Sequence, residues 1–174
     1  MTEPVTTEAS PHAGGMATVL REDDGVTLRF ERNLTVDVDA AWAAITDAEQ
    51  LGRWFMSTTI QPRLGGEVRV DGGSSGGSLG TVTTWEPPHL LAYTWQWSGP
   101  EEDESVTEVR WQLEPHAEGC RLTFTHARLE SGWISGYGAG WHGFLAALAD
   151  PGVDANAVEK AIRPSYEERY GAWH

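Results

Sequence analysis

The segment Ser135–Asp150, SGYGAGWHGFLAALAD, most constrains what this chain can fold into. Tyr137, Trp141, Phe144, Leu145 and Leu148 recur at the i, i+4, i+7, i+8, i+11 spacing of one helical face. Ser135 is a fitting cap, and Pro151-Gly152 ends the pattern. An indole and a phenyl ring on one face need a wide apolar surface to cover them. Almost everything upstream of residue 127 reads as antiparallel strand, so the pattern predicts one curved sheet wrapped around one helix. Gly136, Gly138 and Gly140 work against that helix, since each costs about 1 kcal/mol relative to Ala in a helix interior. Either the helix begins nearer Gly140, or these glycines admit a strand or a ligand at close range.

Along Val26–Val36 the residues Val26, Leu28, Phe30, Leu34 and Val36 share a face. Arg32 interrupts it, as a bulge, a strand end or a cation directed inward. Asp39 is expected to cap a short helix, and Asp47, with Gln50 three residues on, to open a second that ends in Leu51, Trp54 and Phe55. Strands at 66–71 and 79–85 then flank a Gly/Ser-rich loop, Asp71–Ser78. That loop reads as a flexible hairpin connection; no Gly-Lys-Ser/Thr follows, which excludes a phosphate-binding loop. Leu91, Tyr93, Trp95 and Trp97 alternate in the next strand, Val109, Trp111 and Leu113 in another, and Leu122, Phe124 and His126 in the last. One apolar and one polar face is what an antiparallel sheet covered on one side requires.

A chain of 174 residues fits one domain with tails. Residues 1–18 lack any period and read as a disordered tail, 19–150 as the domain, and 151–174 as an extension. The extension reads as a short helix over Ala155–Ile162 that breaks at Pro164, with Tyr166, Tyr170 and Trp173 docking it on the domain or, alternatively, meeting a partner. A formal charge of −14 repels phosphate backbones and anionic surfaces, which argues against nucleic acid. The run Glu101–Glu104 reads as a solvated loop tip. A single cysteine, Cys120, excludes an internal disulfide framework. No apolar window reaches the length of a membrane span, and the start shows no signal pattern, so a cytoplasmic protein without membrane insertion is expected. Nine tryptophans are the compositional oddity, and they suit a core built around an aromatic-lined cavity.

The order of elements narrows when read with the residues themselves. LTVDVDAAWAAITDAEQLGRWF (34–55), GTVTTWEPPHLLAYTW (80–95), VTEVRWQLEP with GCRLTFTHARL (106–129) and GWHGFLAAL (140–148) together resemble the activator of heat-shock protein 90 ATPase-like branch of the SRPBCC superfamily. START lipid-transfer domains, pollen-allergen-like proteins and polyketide cyclases belong to the same superfamily. The resemblance implies an α+β helix-grip fold: a curved antiparallel sheet around a long C-terminal helix, with two short helices after the first strand and an apolar cavity inside. It implies no catalytic set, because the branch shares a fold and not one chemistry. Cys120 stands where such sequences often have Thr, and the glycines before Trp141 depart from the pattern at the cavity mouth.

The residues expected to hold a ligand are Trp54, Phe55, Tyr93, Trp95, Trp97, Trp111, Phe124 and His126, facing Tyr137, Trp141 and Phe144 on the helix. His126 and His142 read as satisfied interior residues and not as metal ligands, and neither a Ser/His/Asp triad nor a paired-carboxylate cleft is visible. The expected function is therefore binding of a hydrophobic aromatic or acyl small molecule, without metal or cofactor, with stress-related service and a homodimer left open. A polyketide cyclase-like enzyme, in which His126, Tyr93 or Arg32 polarises the substrate, is one alternative. A protein-interaction or cochaperone-like module is the other.

Overall fold

Each strand that alternates has one face to bury, and in this chain enough of them alternate to build a single sheet. The computed structural model describes residues 14–100 and 104–173. Its nine strands among those residues are β1 (Thr18–Glu22), β2 (Gly25–Leu34), β3 (Ser57–Ile60), β4 (Glu67–Asp71), β5 (Gly77–Glu86), β6 (Leu90–Trp95), β7 (Trp97–Ser98), β8 (Thr107–His116) and β9 (Gly119–Leu129). All pairings are antiparallel, in the order β1-β2-β9-β8-β6-β5-β4-β3, with β7 beside β5. The helices α1 (Val38–Thr46) and α2 (Ala48–Trp54) follow β2, and α3 (Ile134–Ala149) and α4 (Ala155–Tyr170) follow β9. This is the expected α+β helix-grip fold.

Strand register lays the core down in rows. Phe30 lies opposite Phe124, which lies opposite Trp111, which lies opposite Leu91. The next row runs Leu28, His126, Val109, Tyr93. From α3, Trp141 drops onto these rows. Its ring lies 4.4 Å from Phe124, 5.5 Å from Trp95 and 5.9 Å from Trp111, centroid to centroid.

The buried indole N–H needs an acceptor, since a buried donor left alone costs about 1–3 kcal/mol. Trp141 Nε1 donates to His126 Nδ1 at 3.0 Å. With Nδ1 accepting, the imidazole proton sits on Nε2 and is donated to Thr107 Oγ1 at 2.7 Å. The Thr107 hydroxyl in turn donates to the Trp95 carbonyl at 2.9 Å. Along this relay from Trp141 to the Trp95 carbonyl each donor meets an acceptor, and His126 is neutral. Burial holds its pKa down to about 3.

The glycines of α3 neither shorten the helix nor admit a strand. They let the C-terminal segment lie against its back. A Cβ on Gly138 would sit 2.6 Å from the Tyr166 ring, one on Gly143 would strike the Ala155 carbonyl, and one on Gly136 would strike Trp173. Gly140 is different, because a Cβ there meets nothing within 4 Å. α3 is accordingly buried on two sides, by the sheet and by α4.

Several expectations need correction. α4 is not short: it runs 16 residues through Pro164, as long as α3. Lys160, whose carbonyl loses its donor to the proline, lies on the exposed side of the helix, where an unpaired carbonyl costs least. Asp37, not Asp39, caps α1, accepting from the Ala40 amide at 2.8 Å. Arg32 stays in phase and buried, its guanidinium donating to the carbonyls of Gly15 and Glu31; the bulge lies between Val26 and Leu28.

The expected tail falls largely outside the described residues. Its last part does not: Ala17 is buried, its amide donates to the Tyr166 hydroxyl at 2.8 Å, and Thr18 opens β1. β1 and β3 went unread because edge strands with mostly exposed, polar side chains lack the alternation that marks a strand. The Gly/Ser loop is tied down by Trp97, whose indole donates to the Ser75 carbonyl at 3.3 Å.

Two predictions follow from this packing. Gly140→Ala should stabilise the protein by about 1 kcal/mol through helix propensity, whereas Gly143→Ala should destabilise it by about 1–3 kcal/mol through overpacking. Denaturant melts of the two variants giving changes of one sign would refute the role assigned to the C-terminal segment. The second concerns acid. An unfolded chain protonates His126 near pH 6.5, so below that value the unfolded state binds more protons and stability falls with falling pH. The slope from this residue should approach about 1.4 kcal/mol per pH unit. It should be missing in His126→Gln when urea melts are compared from pH 7 to 4; equal slopes would mean the imidazole charges within the fold.

Candidate functional site

Above Trp141 the packing opens. A cleft of about 410 Å³ lies between the end of the sheet, α3 and the C-terminal segment. Trp95 and Trp97 wall one side, their rings stacked at 5.9 Å with planes 16° apart. Phe55 and Met56, just past α2, wall another. Phe55 stacks on Trp141 at 5.5 Å and meets Phe144 edge-on at 4.7 Å. α3 contributes Gly136, Tyr137, Gly140, Trp141 and Phe144, and the last wall holds Arg163 and Trp173. At Gly140 the absent side chain is itself part of the space.

Of the eleven residues expected to hold a ligand, Phe55, Trp95, Trp97, Tyr137, Trp141 and Phe144 come together around this cleft. Trp54, Tyr93, Trp111, Phe124 and His126 do not reach it. They lie beneath Trp141 in filled core, with Trp111 donating to the Tyr93 hydroxyl at 3.2 Å and Trp54 to the Ala44 carbonyl at 2.9 Å. The cause is Trp141, whose ring covers the lower rows. Alternation places all of these residues on one sheet face, but carries no information on how far the helix side chain descends. Trp97 also leaves the expected strand at Gln96 and pairs through β7 with β5.

One functional group was not legible. Glu104, assigned to a solvated acidic loop, turns back to the cleft. Its amide donates to the Trp97 carbonyl at 2.8 Å, and its own carbonyl accepts from the Gln96 side chain at 3.2 Å. The carboxylate accepts a hydrogen bond from the Tyr137 hydroxyl, which accepts from Trp95 Nε1 at 2.9 Å. Burial raises the Glu104 pKa, while the Tyr137 bond opposes the rise. Burial and the Glu104 charge together push the Tyr137 phenol up, so it stays protonated and donating. Trp173 was expected to dock, and it stacks on Trp133 at 6.3 Å; that it reaches the cleft was not evident.

Among the described residues, no group of three or more His, Cys, Asp or Glu is placed to hold a metal. No helix of the described residues is long and apolar enough to cross a membrane. Arg163 is paired with Glu159 on the same helix. A second hollow of about 640 Å³ beside Trp42 and Trp85 contains none of the expected site residues.

Comparison with known proteins agrees with this architecture. No curated protein sequence matches the chain. Among solved structures, CalU16 from Micromonospora echinospora matches with TM-score 0.63 at 22% identity, over 87% of this chain and 94% of that one. DynU16, of the dynemicin biosynthetic locus, matches with TM-score 0.61 at 27% identity, over 77% of this chain and 50% of its own. The Aha1 dimer from Colwellia psychrerythraea matches with TM-score 0.59 at 21% identity, over 71% of this chain and 93% of that one. A family model matches residues 35–150, from the entry to α1 through the end of α3, and leaves α4 outside. By that match, which spans most of the folded chain, the protein belongs to the activator of Hsp90 ATPase homolog 1-like family, a branch of the helix-grip SRPBCC superfamily.

Proposed function

We propose that the protein binds a hydrophobic, aromatic small molecule in the cleft above Trp141. The observation that carries this reading is the cleft itself: a space of about 410 Å³ bounded by seven aromatic side chains, kept open where α3 has glycine at position 140. An apolar surface of that extent favours a ligand at roughly 25 cal/mol per Å² removed from water. The few polar groups present, Glu104 and Tyr137 foremost, fix orientation, as expected of a small-molecule site. The likeness to DynU16, a protein of a biosynthetic locus for a small molecule, supports the same class of ligand. The likeness to the Aha1 dimer supports a homodimer as the assembly in which this occurs. The net charge of −14 supports action away from anionic membranes.

A cyclase-like activity is the second reading, and it shifts to different residues. Tyr93 and His126 lie sealed beneath Trp141, and Arg32 lies under Gly14 and Gly15 at the other end of β2. Among the described residues, the Glu104–Tyr137 pair presents an acid–base couple to the cleft, and its environment is the kind that poises a carboxyl for proton transfer.

Filling the cleft tests both readings without touching the core. Gly140→Phe should retain the wild-type melting temperature or raise it, and should weaken binding of the neutral probe Nile red at least tenfold. If the phenyl ring disturbs α3, Gly140→Leu serves the same purpose. Wild-type protein that fails to bind the probe, or a filled variant that binds it equally well, would overturn the assignment. Recovery of co-purified compound by mass spectrometry, unchanged or altered, separates binder from enzyme.

A further inference from the structure

The electrostatics of the cleft are lopsided. Glu104 is half-buried in an aromatic wall and forms no ion pair among the described residues. Its hydrogen-bond donor there, Tyr137, is a neutral phenol. The cation across the cleft, Arg163, is already engaged by Glu159. Desolvating a carboxylate without a counter-charge costs several kcal/mol, so such a group is retained where something compensates it. Aromatic rings are the one apolar lining that also attracts positive charge, through the negative face of the π-system. The protein as a whole carries −14, which draws cations toward every opening on its surface.

We infer that the cleft is selective for an organic cation: a small aromatic or alkyl ammonium whose charged end lies beside Glu104 and Tyr137, with its apolar body among Trp97, Trp141, Phe144 and Trp173. This rests on the small-molecule reading of the cleft and specifies its ligand class. The compensation acts in one direction. A cation supplies the counter-charge that the Glu104 carboxylate lacks among the described residues, an anion adds a second negative charge beside it, and a neutral ligand leaves it uncompensated. Tyr137 holds the carboxylate in place, and the N–H of Trp95 holds Tyr137, so the negative pole is positioned before any ligand arrives. Positioning of this kind raises affinity by reducing what must be ordered on binding.

Two probes of one shape isolate the charge. Benzyltrimethylammonium and neopentylbenzene differ only in nitrogen for carbon, and titration calorimetry at low salt compares them directly. The wild-type protein should bind the ammonium at least tenfold more tightly. Glu104→Gln preserves the hydrogen bond from Tyr137, and it should abolish that preference. Added salt should shrink the preference, since part of the site is open to water. Equal or weaker binding of the ammonium by wild type, or a preference that survives in Glu104→Gln, would overturn the inference. Neopentylbenzene and Nile red binding without ammonium selectivity would sink the cation assignment alone. Failure of all three probes to bind would remove the small-molecule reading with it.

Discussion

The structure depends on one buried hydrogen bond, from the indole N–H of Trp141 to Nδ1 of His126. An indole driven this far into a sheet interior brings a donor that water can no longer satisfy. His126 supplies the acceptor only as the neutral tautomer protonated on Nε2, and Thr107 fixes that tautomer by accepting the other proton. The bond sets the depth and orientation of the Trp141 ring. That ring then closes the lower core and floors the cleft above. Its surroundings are dense, with Phe55, Phe124 and Trp111 all in ring contact, so Trp141 is first a structural residue and only on one side a cleft residue. The idea of one large cavity between sheet and helix gives way to a filled core with a smaller chamber on top.

The C-terminal segment completes that chamber from outside the matched family region. Its helix lies against the back of α3 because Gly138 and Gly143 remove the side chains that would hold it off. The close approach buries Tyr166, whose hydroxyl accepts from the Ala17 amide and lies 3.2 Å from His142 Nδ1. The two ends of the described chain are thereby joined at one phenol. Past α4, Trp173 folds over Gly136 to reach the cleft. The glycines that looked unfavourable for a helix are thus what allow a second helix and a fourth wall.

How far the sequence could be read follows from what kind of signal each element gives. β2, β6, β8 and β9 alternate strongly because one face is buried and the other is wet, and they were legible with their inward residues. β1 and β3 are exposed edge strands, so pairing and not burial defines them, and pairing leaves no periodic trace. The face of α3 was legible through Tyr137, Trp141 and Phe144, but its back was not, since glycines signal close approach without saying what approaches. Glu104 was hidden for a related reason. Three acidic neighbours in the sequence, which lie outside the described residues, make it read as solvated, and its bond from Tyr137 is visible only in three dimensions. The division of the aromatic residues between core and cleft depends on side-chain depth, which neither period nor composition encodes.

That division can be observed directly, since each of the nine tryptophans gives one indole N–H resonance. A two-dimensional nitrogen–proton spectrum recorded during titration with Nile red should show the Trp97 and Trp173 indole signals moving. Trp54 and Trp111, beneath the ring of Trp141, should stay in place, and Trp111 should remain protected from exchange with deuterated solvent. Movement of the Trp54 and Trp111 signals would mean that ligand enters the space beneath Trp141, and the partition of this fold into filled core and open cleft would be wrong.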